Sequence, residues 1–397
     1  MAGSIEERGK DSWRLVVSGG CDAKGKRIKH TRIFHGGKRE AKLALAAFVT
    51  EIERDEYKKP LKMTVEDFLK NWLRDYATSN VAPTTYKRYE CLIESHAIPH
   101  LGAYTLAQIK PPHVVKMYNE IQKEGGRKDG KPGALSSTSV LQLHRVLHKA
   151  FETGMKWGLF SKNIIDGVDA PHKAHHEITP LDEEQVKKML ELVRSQAPHY
   201  HLITLIAVIG GLRRSEILGL RWRDVDFSKN AAMVNQTLHY VRGTGLIIKE
   251  TKNVKSRRAV TLPAGLMELL KKYKAVQNEK RLAVGDLWQD NDLVFTGWNG
   301  KPFFPDNVTS WFKKFMCDNN LPQINFHALR HTSCSLLISE GLHAKVISSR
   351  MGHSGIQITM NTYGHLFESS QREAADALAH LVTPPTPENK QSERASG

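Results

Sequence analysis

HALRHTSCSLLISEGLHAKVISSRMGHSGIQITMNTY, residues 327–363, is the stretch from which the rest of the chain can be read. His327, Arg330 and His331 fall at i, i+3 and i+4, so a helix would put them on one face. Residues 329–337 are helix-patterned, and Gly341 stands where a residue just past a helix end stands. A second short helix is expected over residues 344 to about 351, ending at Gly352-His353, and a third apolar-periodic run carries Tyr363. The stretch thus offers a fixed cation at Arg330, imidazoles at His327, His331 and His353, and a phenol. That set suits an oxyanion such as a phosphate diester. Arginine forks a phosphate with several donors, histidine moves protons near neutral pH, and tyrosine can attack phosphorus.

Upstream, HLITLIAVIGG (201–211) is almost continuously apolar and reads as a buried helix. It delivers GLRRSEILGLRWRDVDF (211–227), where Arg213 has Glu216 three residues on. Burying a guanidinium without an anion is costly. Arg213 therefore pairs with Glu216 or Asp224, or meets a phosphate, and both can hold at once. Thr179, Pro180 and Asp182 form a helix start, with Thr179 as cap. Three strands follow, 231–241, 245–251 and 257–263; the last two are joined by a basic turn, KNVKS (252–256). Lys249, Lys252 and Lys255 compete there for any role at an anion. Helices are expected over 265–280 and about 304–319.

Residues 1–58 read as a small α+β module: SWRLVV (12–17) and KHTRIF (29–34) as strands, a basic turn-rich loop between them, and an amphipathic helix over 38–57. It is either a solvated hairpin or a sheet laid into a DNA groove. Residues 63–168 read as all helical, with helix starts at Thr64, Pro83, Pro111 and Ser137, a stop at PHLG (99–102) and a flexible basic loop over 125–136. Lys87, Arg88, Arg145, His148 and Lys149 give this region a basic surface. Residues 169–178 read as an exposed linker, whose His172, His175 and His176 are solvated rather than metal-bound. The proline-rich polar tail, 382–397, reads as disordered.

The chain has 397 residues, with 58 Lys and Arg against 42 Asp and Glu, a formal net charge of +16. Such an excess points first to nucleic acid, with a basic peripheral membrane protein as the competitor. No run approaches the roughly 18–20 apolar residues of a membrane span. The first ten residues lack the apolar core of a signal peptide. An intracellular protein with no membrane partner is expected. Cys21, Cys91, Cys317 and Cys334 show no C-x-x-C spacing and are expected as reduced, half-buried thiols.

GLRRSEILGLRW, the basic turn at Lys252, HALRH, Gly352-His353 and NTYGHL follow one another at spacings that resemble the catalytic domain of tyrosine recombinases, the phage-integrase family. TYKRYE, IPHLG and LQLHRVLHKAFETGMKWGLF resemble the family's core-binding, SAM-like domain, and the N-terminal module resembles the arm-binding domains of phage and conjugative-element integrases. The resemblance implies a multi-domain, mainly α protein with small β-sheets. Its parts would be an arm-type DNA-binding module (1–58), a helical core-binding domain (63–168), a linker (169–178), a mixed α/β catalytic domain (179–381) and a disordered tail (382–397). It implies catalytic roles for Arg213, Lys252, His327, Arg330, His353 and the nucleophile Tyr363, with Glu216 and His331 in support. Gly210, where the family often has threonine, and Arg350-Met351 depart from its pattern. The implied activity is site-specific recombination through a 3′-phosphotyrosine, integrating and excising a mobile element without metal or cofactor. The alternatives are a type IB topoisomerase-like nicking-closing enzyme, a dimer resolvase, or a non-catalytic DNA-binding regulator. Implied partners are duplex DNA at core and arm attachment sites, a homotetramer on synapsed DNA, an excisionase and a host DNA-bending protein, in a bacterial cytoplasm. The segment after Tyr363, 366–381, would dock on a neighbouring protomer or on its own domain.

Overall fold

The computed structural model describes residues 3–21, 27–53, 62–127, 129–130, 132–172, 180–250 and 257–367. The chain divides into two compact units, 1–175 and 176–397.

The first unit opens with an antiparallel sheet of β1 (Gly3–Gly9), β2 (Ser12–Cys21) and β3 (Arg27–His35), in that spatial order. The sequence predicted β2 and β3 but not β1. GSIEERG is polar and almost fully exposed, and its strand form comes from pairing with β2, Gly3 opposite Val17 through Glu7 opposite Trp13. Leu15 and Val17 point inward with Trp13 and pack on Phe48 and Ile52 of α1 (Lys38–Glu53). The remainder of the helix expected to residue 57 lies outside the described residues.

The helical part begins at α2 (Val65–Trp72), where Thr64 and Asp67 cap each other's backbone N–H in a capping box. It continues through a π-turn, Leu73–Ala77, into α3 (Thr78–Asn80). α4 (Pro83–Leu92) likewise runs through a π-turn, Ile93–Ala97, into α5 (Ile98–Leu101). The helix stops within 99–102, as expected, with Leu101 its last residue and Gly102 its cap, but Pro99 lies inside it. The wider turn sends the Ile98 N–H to Ile93 O, so the helix absorbs a proline that has no N–H to give. α6 (Pro111–Ile121) and α7 (Ser137–Lys156) complete the cluster around Phe68, Trp72, Phe151 and Leu147. The loop expected to be flexible is anchored among its described residues. Leu135 is buried, its N–H bonds Ile121 O at 2.9 Å, and Arg127 pairs with Asp129 at 2.6 Å. His172 is exposed; His175 and His176 lie outside the described residues.

The second unit starts at α8 (Glu183–Val193). Its cap is Asp182, which exchanges backbone N–H bonds with Gln185; Thr179, expected as the cap, lies outside the described residues. α9 (Pro198–Ile209) is the central buried helix, as its apolar run requires. After α10 (Arg214–Leu218) and β4 (Val225–Asp226), the single strand expected over 231–241 proves to be two, β5 (Ala231–Val234) and β6 (Gln236–Val241), in different sheets. β5 pairs with β4 and β8 (Arg258–Thr261), while β6 pairs with β7 (Gly245–Glu250). The break falls at Asn235, whose side chain is drawn to Asp224 at 2.8 Å. α11 (Ala264–Val284) and α12 (Pro305–Asp318) pack on this core. The decisive stretch folds as α13 (Ala328–Ser339), α14 (Ala344–Met351) and α15 (Ile356–Phe367), with Gly341 and Gly352 at φ +74° and +64°. Glycine takes that left-handed turn without a Cβ penalty. Among the described residues no helix is long and apolar enough to cross a membrane. The described thiols are free but not half-buried: Cys91 and Cys317 are exposed and Cys334 is buried.

Candidate active site

The C-terminal end of α14 organises the site. An α-helix leaves its last carbonyls without intrahelical partners and carries partial negative charge there. Three successive ones, of Arg350, Met351 and Gly352, each receive a different guanidinium. Arg258 Nε donates to Arg350 O at 2.7 Å, Arg330 Nη2 to Met351 O, and Arg213 Nη2 to Gly352 O at 3.4 Å. Arg330 also donates through Nη1 to Gly211 O at 2.6 Å, just past the end of α9. Arg350 itself reaches Ile209 O at 2.9 Å and Thr261 O at 3.1 Å. Helix-end carbonyls thus hold together cations that would otherwise repel.

Among the described residues, Glu216 supplies the carboxylate of this cluster. It is 3% exposed and caps α10, accepting the Arg213 N–H at 2.9 Å and Arg213 Nη1 at 2.7 Å. Arg258 donates to both its oxygens, at 3.2 and 2.9 Å. Burial pushes this carboxyl upward, but the bonds and charge of Arg258, followed by Arg213, carry it below the ordinary glutamate range. Asp224, the other candidate partner of Arg213, pairs instead with Arg221 at 2.6 Å.

Tyr363 is 6% exposed and its hydroxyl bonds His331 Nδ1. Burial, then the neighbouring Cys334, push the phenol above its usual range, so it is protonated at neutral pH. Burial, with His327 and then Arg330 nearby, brings His331 down to about 4, so the ring is neutral and can accept the phenol's proton. His327 sits at the start of α13, its ring 5.1 Å from that of His331 and perpendicular to it. His353 is held through Nδ1 by Thr359 Oγ1 at 2.9 Å, and burial with the three arginines lowers it to about 4. Burial and then Arg213 lower Arg330 to about 9, which keeps it charged at neutral pH. Arg213, His327, Arg330, His331, His353 and Tyr363 line one cleft of about 210 Å³.

Residues 180–370 match the phage integrase family, and residues 64–122 match the phage integrase N-terminal SAM-like domain. The chain belongs to the phage integrase family and is a tyrosine recombinase. Among similar proteins is a XerC-like tyrosine recombinase of Caldanaerobacter subterraneus, 27% identical over 396 residues, covering 94% of this chain and 97% of that one. The ICEBs1 integrase of Bacillus subtilis is 24% identical, covering 96% and 100%. Among solved structures, the Tn1549 transposon integrase bound to transposon right-end DNA superposes with a TM-score of 0.66 at 23% identity, covering 80% of this chain and all of that one. A lambda integrase dimer on a core site gives 0.56 at 17%, covering 90% and 93%.

Of the residues singled out in the sequence of this integrase, Arg213, Glu216, His327, Arg330, His331, His353 and Tyr363 come together. Lys252 and Lys255 lie outside the described residues, while Lys249 lies on β7. Sequence reasoning missed Arg258, Thr359 and Cys334. Arg258 did leave a signal. Alternation along RAVT, with Val260 facing inward, puts Arg258 in the core register opposite Val234. An arginine there asks for a buried anion.

Proposed function

We propose that this recombinase cuts and rejoins duplex DNA through Tyr363, integrating and excising a mobile element. The observation that carries the reading is the shared cleft: a phenol, two arginines and three histidines of one chain open onto a single space. In the forward step the Tyr363 oxygen bonds to the scissile phosphorus and the bond from phosphorus to the 5′-oxygen breaks. The phenolic proton passes to His331, the imidazole already bonded to it. Arg213 and Arg330 hold the non-bridging oxygens as charge builds. His353, fixed through Nδ1, offers Nε2 to a phosphate oxygen. By resemblance to the family, Lys252 protonates the departing 5′-oxygen. A phosphate at Arg330 offsets the one arginine charge that, after burial and His327, depresses His331. The product is a 3′-phosphotyrosine, which a 5′-hydroxyl from a second duplex can attack in reverse. Bond energy is conserved in the linkage, so ATP is not required.

The relatives' solved complexes, on transposon-end DNA for the Tn1549 enzyme and as a tetramer on a Holliday junction for lambda integrase, support assembly of four protomers on two duplexes. We assign residues 63–168 to core sites and 1–58 to arm sites, with an excisionase and a host bending protein as accessory partners. A nicked suicide substrate tests the reading. Wild type should accumulate a covalent adduct that denaturing gels resolve, and Tyr363→Phe should accumulate none. An adduct surviving in the Phe variant would remove Tyr363 from the mechanism.

A further inference from the structure

We propose that Arg258 is a positioning residue for cleavage, one that keeps Arg213 available to the phosphate by holding Glu216; this rests on the function proposed above. The side chain of Arg258 is 7% exposed, too deep to meet DNA, so it acts through its neighbours. All three of its nitrogens are committed in the structure, Nε to the end of α14 and Nη1 and Nη2 to the two oxygens of Glu216. Those same oxygens hold Arg213 by its backbone and its Nη1. β8, α10 and α14 are thereby locked at one point. Gly352 leaves no slack there, since a Cβ on it would stand 2.8 Å from Arg258 Nη1.

Stability alone does not explain the pair. Val234 faces Arg258 across the sheet and Val260 follows on the same face, so an apolar side chain would fit the register. Replacing a buried ion pair by packed apolar groups is often neutral or better for stability. Charge gives a different reason. Arg213 and Glu216 alone sum to zero, and a buried carboxylate would draw the half-exposed guanidinium onto itself. With Arg258 the trio carries one net positive charge, and it is expressed at Arg213, whose side chain is 36% exposed. The charged and titratable groups facing Glu216 are Arg213 beside its own helix, Arg258 on β8, and His327 and Arg330 of the α13 segment.

The test is single-turnover adduct formation on suicide DNA by the full-length protein, with wild type as control. No adduct from wild type would refute the proposed function itself, separately from any role of Arg258. Arg258→Met should slow adduct formation by about 10²-fold, the scale of a small misplacement at a reacting centre, while affinity for uncleaved DNA stays within about twofold. Two signatures separate charge release from a mere packing loss. Adding Glu216→Gln to Arg258→Met should restore part of the rate, because Arg213 is again unneutralised. The defect of Arg258→Met should also shrink as pH falls from about 8 to 5.5, because a Glu216 that has lost its main partner takes up a proton. Wild-type rate in Arg258→Met, or a slow variant showing neither signature, overturns the proposal. If Arg258→Met does not fold, Arg258→Lys decides. It keeps the cation but cannot fork Glu216 while holding Arg350 O, so it should be slower by about tenfold with unchanged DNA affinity. Wild-type speed in that variant overturns the proposal.

Discussion

Two sets of arginines, one in each unit, are held in opposite ways. In the helical unit, Arg88 lies on an exposed face of α4, bridged to Gln142 of α7 at 3.0 and 2.8 Å. Arg74 pairs with Asp75, and Lys149 and Lys156 with Glu152, all at the surface. Such pairs are solvated and screened, and add little to the fold. In the catalytic unit Arg330 and Arg258 are 4% and 9% exposed, and their donors end on helix-end carbonyls and one carboxylate. A buried cation has few orientations, so it can be aimed. An exposed one can shift, and serves where many phosphates must be met and none in particular. Charge count alone, +16 over the chain, does not separate these uses; burial does.

Variants can break this contrast. Arg330→Met should have the largest effect. It removes a cation from the phosphate and leaves Gly211 O and Met351 O short of a donor, so single-turnover cleavage at saturating DNA should fall by at least about 10²–10³-fold. A loss under tenfold would mean that its burial is incidental. Gly352→Ala comes next, at about 10²-fold in rate together with a lower melting temperature. Its φ of +64° is left-handed and the added Cβ meets Arg258. Arg88→Ala should act in the other currency. DNA affinity should weaken a few-fold and the slope of log affinity against log salt should drop by about one, with the cleavage rate at saturation unchanged. A changed rate would show that Arg88 is aimed after all.

The half-buried histidines give a smaller effect, spread over pH. His331 and His353 in the site, and His199 on α9, are held near 4 by burial and nearby cations. Unfolded, each would titrate near the ordinary 6.5. The unfolded chain binds more protons between these values, so stability is full above about 6.5 and is lost as pH falls toward 4. Melting curves across that window should show the decline, and His199→Phe should flatten part of it without touching the cleft. A melting temperature independent of pH there would contradict the burial of these rings.

What the sequence made legible was local. α13, α14 and the start of α15 were readable because their ends are set by residues within a turn, Gly341 and Gly352 above all. Arg213 and Glu216 were readable as a pair because they lie three residues apart across a helix start. Contacts between distant segments stayed hidden. β1 is a strand only because β2 is beside it, and β5 and β6 part at Asn235 because Asp224 pulls there. Pro99 sits within a helix because a π-turn six residues earlier begins to loosen the ladder. Which of His327 and His331 meets the Tyr363 hydroxyl could not be read from spacing, since only the fold of α15 brings that hydroxyl to His331.

The grip of three arginines on consecutive carbonyls fixes the length of α14. One residue added or removed would swing its tip by about 100°, turning those oxygens away from the side chains that reach for them and carrying His353 off with them. Surface loops elsewhere in the chain can grow or shrink with little consequence. This eight-residue helix is a spacer that tolerates changes of letter far better than changes of number.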